Sequence, residues 1–293
     1  MKRTIIVITY LVNSILLQAQ SLEVKTNGSE KLLGQWPTSK LRTAPYNLWF
    51  NENYGEYQPD EKDLKNLSKR MNTFDSVTVF LGTWCGDSRR EVPRLIKSLE
   101  QIGFDFDRLK LIFVDRTFQN YKQSPGREES GQNIHRVPTI ILHNGEREVG
   151  RIVESPKETL EQDIIHITKG KDYFEKYSAV TLLNNMFNKQ GLQYIKDHQT
   201  QIINELKGKV MNKYELNTYG LVLFSSFQLA EANIVYELNK ELFPNEPLTH
   251  FSLGKFEAMS GEYELAAADL ERASELAPDD ENIQTYLENV RQK

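Results

Sequence analysis

From Tyr173 to Lys293, no stretch of this 293-residue chain alternates apolar and polar side chains as a strand does; one helical spacing follows another. The preceding half reads differently, with short β-branched runs set between helical stretches. A chain that changes its period once in this way is built as two units, one around a sheet and one of helices alone. The change falls between Gly170 and Ala179. It sets a sheet-bearing unit over residues 46–170 and a helical unit over 171–293, after a polar, turn-rich extension over 20–45.

The helical half repeats itself. A shift of 34 residues carries Gly220 onto Gly254, Ala232 onto Ala266, Tyr236 onto Leu270 and Pro244 onto Pro278. Small residues let paired helices approach closely, and a proline ends the second helix of each pair. Residues 180–206 read as a poorer, earlier pair, structural in role because a stacked array needs about three repeats.

In the sheet-bearing half, Asp60 to Met71 reads as a helix capped by Asp60, with Leu64 and Leu67 on one face. Val77 to Leu81 is nearly all apolar, as in a strand covered on both faces. A turn over Gly82 to Ser88 leads into a helix over Arg90 to Leu99, which Pro93 should kink. Further strands are expected over Leu109 to Val114, Pro138 to Leu142 and Val149 to Val153, the last two joined at Asn144-Gly145. A final helix opens at Pro156 and Lys157. This order specifies an α/β or α+β unit, a mixed sheet with helices on both faces. Gln123 to Gln132, rich in Gly, Ser and charge, reads as an exposed, cleavable loop.

The chain holds one cysteine, Cys85, which excludes an internal disulfide, a cysteine-based zinc site and self-contained dithiol chemistry. With 36 basic and 41 acidic side chains its charge is −5, the wrong sign for a nucleic-acid binder. His135, His143, His166, His198 and His250 show no ligand spacing, so no metal site is expected, and no motif asks for a cofactor. Cys85 falls between a buried strand and a helix, where unpaired backbone N–H groups and the positive end of the helix dipole favour the thiolate, the nucleophilic form. Against this stands the reading of Cys85 as a packing residue.

Trp84-Cys85-Gly86-Asp87-Ser88 after the central strand, Pro93 in the following helix, Val137-Pro138-Thr139 before a strand, and the Asn-Gly hairpin leading to Gly150 occur in that order. Over about Tyr46 to Gly170 the chain resembles thioredoxin-fold domains, and within them the exported bacterial thioredoxin-like proteins. Over about Glu215 to Lys293 it resembles tetratricopeptide repeats. The first resemblance implies that Pro138 is cis and lies beside Cys85. It also implies that the backbone of Val137 pairs with an extended peptide, and that Trp84, Gly86, Asp87, Val137 and Pro138 line the substrate site.

Two positions depart from the family. Ser88 stands where the second cysteine is found, so Cys85 can attack but lacks the thiolate that would release it. Val79 stands where the family often has a buried acid. Ser88 is expected to cap the helix or to hydrogen-bond Cys85. Arg89 and Arg90 either offset Asp87 or coat the helix, and Asp115 either supports the site or merely stops its strand.

Lys2-Arg3, the apolar run to Leu17, and Leu17-Gln18-Ala19 read as an export signal cleaved near Ala19, too short and interrupted for a stable membrane anchor. Two functions are compatible with these features. One is an exported, periplasmic or secreted monothiol thiol–disulfide oxidoreductase serving redox homeostasis in the envelope, its Cys85 forming mixed disulfides with clients. The other is a non-catalytic peptide-binding module whose helical repeats hold a protein partner.

Overall fold

The computed structural model of the chain describes residues 21–26, 29–170 and 173–293. The expected export signal and its cleavage point lie outside the described residues. No helix among the described residues is long and apolar enough to cross a membrane.

In chain order the first unit runs β1 (Leu22–Thr26), β2 (Ser29–Trp36), α1 (Thr38–Leu41), α2 (Asn47–Glu56), α3 (Glu61–Ser68), β3 (Ser76–Leu81), α4 (Gly86–Gln101), β4 (Leu109–Phe113), β5 (Thr139–Asn144), β6 (Arg147–Val153) and α5 (Leu160–Thr168). The strands form one mixed sheet in the order β1-β2-β4-β3-β5-β6. Only β3 and β4 are parallel; the other neighbours are antiparallel. Asp60 caps α3 by accepting from the N–H groups of Lys62 and Asp63 at 2.9 and 3.0 Å. Thr159, rather than Pro156 or Lys157, stands at the cap of α5.

Two differences from the sequence reading matter. The stretch taken as an extension before residue 46 supplies β1 and β2, and β2 pairs with β4 through Gly34, Gln35 and Trp36. Its outer strand β1 lies at the sheet edge, while β2, between β1 and β4, buries Leu32 and Leu33. The second difference concerns the sheet faces. Val77, Val79 and Leu81 of β3 share one core with buried residues of α2, α3, α4 and α5, so these four helices cover a single face. On the other face Phe80, Ile112, Val114 and Ile141 pack under Ile134 and Val137 of the long connection between β4 and β5. That connection forms no α-helix, only a 3₁₀ turn over Phe118–Asn120, and Lys122, Arg127, Gly131 and Asn133 beyond it all have positive φ. Nor is it an exposed loop, because Lys122, Gln123, Ser124 and Glu129 are buried.

The second unit comprises α6 (Ser178–Asp197), α7 (Gln199–Lys207), α8 (Lys213–Ser225), α9 (Leu229–Leu242), α10 (Pro247–Ser260), α11 (Tyr263–Leu276) and α12 (Glu281–Arg291). A shift of 34 residues lays the bounds of α9 on those of α11. The poorer early pair is present as α6 and α7, with Gly191 at φ 80° interrupting α6. The repeat has the physical cause its sequence suggested. A Cβ on Gly220 would come within 2.7 Å of the Tyr236 ring, and one on Gly254 within 2.8 Å of Leu270 and 3.0 Å of the Ala266 carbonyl oxygen. The units touch through the connection. Gln123 Nε2 donates to the Ser225 carbonyl at 2.7 Å, and Phe118 packs on Phe224 with ring centroids 5.6 Å apart.

Gly254→Ala should therefore destabilise the protein by about 1–2 kcal/mol despite the better helix propensity of alanine. Gly55→Ala, in α2 with open space around its Cβ, should gain about 0.5 kcal/mol; urea unfolding of both variants checks the opposite signs. Glu257 supplies a pH test. Burial, followed by the Asp269 carboxylate, pushes its carboxyl up to about 7, and its Oε2 has no hydrogen-bond partner among the described residues. A raised folded value favours the protonated native state, so this contribution is complete below about pH 4.5 and lost as pH rises through about 7. Glu257→Gln should be more stable than wild type by about 1 kcal/mol at pH 8 and show no advantage at pH 4. Thermal melts at both pH values measure this.

Candidate functional site

β3 is hydrogen-bonded along both edges and ends at Leu81, beneath the start of α4. Gly82-Thr83-Trp84 makes the turn, and its closing bond runs from the Cys85 N–H to the Gly82 carbonyl at 2.9 Å. The helix begins one turn earlier than its apolar spacing suggests, with Cys85 at the cap position (φ −94°, ψ 126°) and Gly86 as the first helical residue. A Cβ on Gly82 would fall within 2.5 Å of the Trp84 indole. Glycine is thus what lets the indole fold back, and its Nε1 donates to the Val114 carbonyl at 3.0 Å.

Cys85 is half-buried, and its Sγ lies 3.1 Å from the Val137 carbonyl oxygen, within hydrogen-bonding distance for a thiol donor. The Val137–Pro138 bond is cis. Residues 52 positions apart in sequence therefore meet at one sulfur. Ser88 neither caps α4 nor bonds Cys85: it is buried, and its Oγ accepts from the Gly82 N–H at 3.2 Å, bracing the turn from inside. Asp87 pairs with Arg90 at 2.7 Å, so Arg90 offsets it, whereas Arg89 turns its Nε to the Thr83 carbonyl at 2.6 Å. Gly86 is exposed beside the sulfur's turn, while Val137 is buried with its carbonyl engaged by Cys85.

Asp115 does more than stop a strand. Its carboxylate pairs with Lys31 of β2 at 2.5 Å and accepts from the N–H groups of Arg116 and Thr117. Burial opposes ionisation, but Lys31 and the two N–H groups hold this carboxyl below its ordinary value. The Asp115 backbone bonds Lys122 and Gln123, closing the loop that returns to the site. That loop carries the groups missed in the sequence. Lys122 Nζ stands 4.4 Å from the centroid of the Trp84 ring and 5.0 Å from that of Tyr121. Nearby, Arg136 pairs with Glu154 at 2.7 Å and lies over Tyr177. No period marks Tyr121 or Lys122, and only the closing of their loop could have revealed them.

Among the described residues no group of three or more His, Cys, Asp or Glu side chains is placed to hold a metal. His135 is buried at the seam, edge-on to Tyr177 and Tyr219, and burial pushes it down to about 3, which keeps it neutral. Away from Cys85, a pocket of about 260 Å³ opens between Phe118 and the helices α8 and α10, lined by Phe224, Phe251, Phe256 and Asn217 among others. The Asn217 Oδ1 there is buried and without a hydrogen-bond partner among the described residues. No protein-family model matches the chain, and no curated protein matches it.

Removing the anchor of the loop should be costly. Lys31→Met leaves the Asp115 charge unpaired and should cost about 3 kcal/mol, most of it regained on adding Asp115→Asn. Urea unfolding of the single and double variants tests the pair.

Proposed function

We propose that the chain is an exported, thioredoxin-like protein with one working thiol, in which Cys85 forms mixed disulfides with client proteins or small thiols. The contact between Cys85 Sγ and the Val137 carbonyl carries this reading, because it joins the thiol at a helix start to the loop before Pro138. In the family it resembles, that loop receives an extended peptide. A half-buried sulfur at the end of a covered strand is accessible enough to react and fixed enough to select. The repeated helix pairs support a tetratricopeptide-like scaffold beside it for a protein partner. The basic and apolar N-terminus supports export, and an oxidising compartment suits disulfide chemistry.

A second reading has its own observation. The aromatic pocket at Phe118, with an unpartnered Asn217 acceptor, suits an apolar side chain followed by a backbone N–H, as expected of a peptide-binding module without turnover.

The absence of a resolving thiol separates the two. With Ser88 in place, wild type should accumulate mixed disulfides rather than reduce a model disulfide repeatedly. Ser88→Cys puts a second thiol in the first turn of α4 and should turn over in the presence of an external reductant. Cys85→Ala should abolish both trapping and activity. Because Val79 supplies no acid on β3, the Ser88→Cys gain should be incomplete. Thiol-release time courses and non-reducing gels measure this, and the absence of any mixed disulfide in both wild type and Ser88→Cys hands the site to the peptide-binding reading.

A further inference from the structure

Phe251, Lys255 and Met259 recur at every fourth position of α10, so they share one face of that helix. With Asn217 and Phe224 of α8 they line the pocket of about 260 Å³. Its remaining wall comes from the other unit: Phe118 opens the 3₁₀ turn of the connection and packs on Phe224. The rings form a chain, with Phe118 tilted on Phe224, Phe224 edge-on to Phe256 and Phe256 tilted against Tyr236, at centroid distances of 5.6, 5.9 and 5.7 Å. Apolar surface is left in water here, since Phe118 is 41 % exposed and Met259 49 %. A space walled by rings and a thioether suits a further aromatic ring, because ring–ring and sulfur–ring contacts add to the gain from burial alone.

Two polar groups narrow what lies beside that ring. Asn217 Oδ1 is buried and accepts no hydrogen bond among the described residues, so an occupant that brings an N–H removes the cost of leaving it unpaired. Lys255 is the only charged side chain lining the pocket among the described residues. Its ammonium lies 5.2 Å from the centroid of the Phe251 ring and 5.5 Å from that of Tyr286 on α12. Two rings, and no carboxylate among the described residues, are its partners. A carboxylate on the occupant therefore meets a cation that has none of its own.

We infer that this pocket is a docking site, built by both units together, for an extended segment of a partner protein that carries an aromatic residue between acidic neighbours. This rests on the peptide-binding reading of the pocket. The aromatic ring fills the space between Phe118, Phe224, Phe251 and Phe256, its backbone N–H donates to Asn217, and a neighbouring carboxylate reaches Lys255. Phe118 belongs to the connection and the other lining rings to the helices, so the bound segment lies across the seam that Gln123 and Ser225 close. The helical array alone offers an incomplete site. Charge on the partner sets its selectivity, and the ring supplies most of its affinity.

The test uses the full chain with isotope-labelled methionine methyl groups, the Met259 signal being assigned from Met259→Leu and followed by NMR. Three capped peptides are titrated: Ser-Glu-Phe-Glu-Ser, Ser-Gln-Phe-Gln-Ser and Ser-Glu-Ala-Glu-Ser. The first should shift the Met259 signal. The second should bind about threefold more weakly, as an exposed ion pair would have it, and the gap should close at high salt. The alanine peptide should lose about tenfold or more. Phe118→Ala should weaken the first peptide by about tenfold, and Lys255→Met should bind the first and second alike. Equal affinity of wild type for the first two peptides overturns the acidic partner, leaves the peptide-binding reading standing, and is decided whether or not either variant folds. Unchanged binding in Phe118→Ala overturns the shared site. Hydrocinnamate binding as tightly as the first peptide gives the pocket to a small aromatic acid and overturns the peptide occupant. If no peptide moves the Met259 signal, the peptide-binding reading itself fails and takes this inference with it.

Discussion

β3 must be satisfied on all four sides, and the rest of the sheet-bearing unit is arranged to meet that demand. Its edges are hydrogen-bonded to β4 and β5, its Val77, Val79 and Leu81 face the core under the helices, and its Phe80 faces the connection. A strand enclosed in this way cannot move, so the segment after its last residue is held to within the freedom of one turn. That segment is Gly82 to Cys85, braced by Ser88 from within and by the indole of Trp84 from above. The position of the sulfur is therefore a consequence of burial two residues behind its own turn.

Where a residue pattern has a single physical cause, the sequence was a good guide. The 34-residue repeat is the clearest case, since Gly254 and Ala266 are small for the reason their spacing implied, and α9 and α11 fall in register. Asp60, the Asn144-Gly145 turn and the apolar β3 were legible for the same reason: each is decided by its neighbours in the chain. β1 and β2 were not, because their short runs lack a clean alternation and the partner that fixes β2, strand β4, lies about 75 residues away in sequence.

The site divides along the same line. Trp84, Cys85 and Ser88 sit in one continuous turn and could be found from their order. Ser88 nonetheless took a role that order did not suggest, holding the Gly82 N–H instead of the helix end or the sulfur. Lys122 entered through a loop whose Gly, Ser and charge resemble solvent-exposed chain, yet which is buried between the sheet and α8. Composition reports what a segment can tolerate, whereas burial depends on what is laid over it. Here a whole helical unit is laid over it.

Gln123 stands one residue after Lys122 and is bonded to Ser225, the last residue of α8. The helical array and the segment behind the thiol turn thus meet, at this point, across one peptide unit. A partner that draws α8 away from the sheet must first give up the Gln123 bond, and the residue before Gln123 is the cation above Trp84. Displacing α8 therefore disturbs the chain beside the indole of Trp84 before it reaches the turn itself.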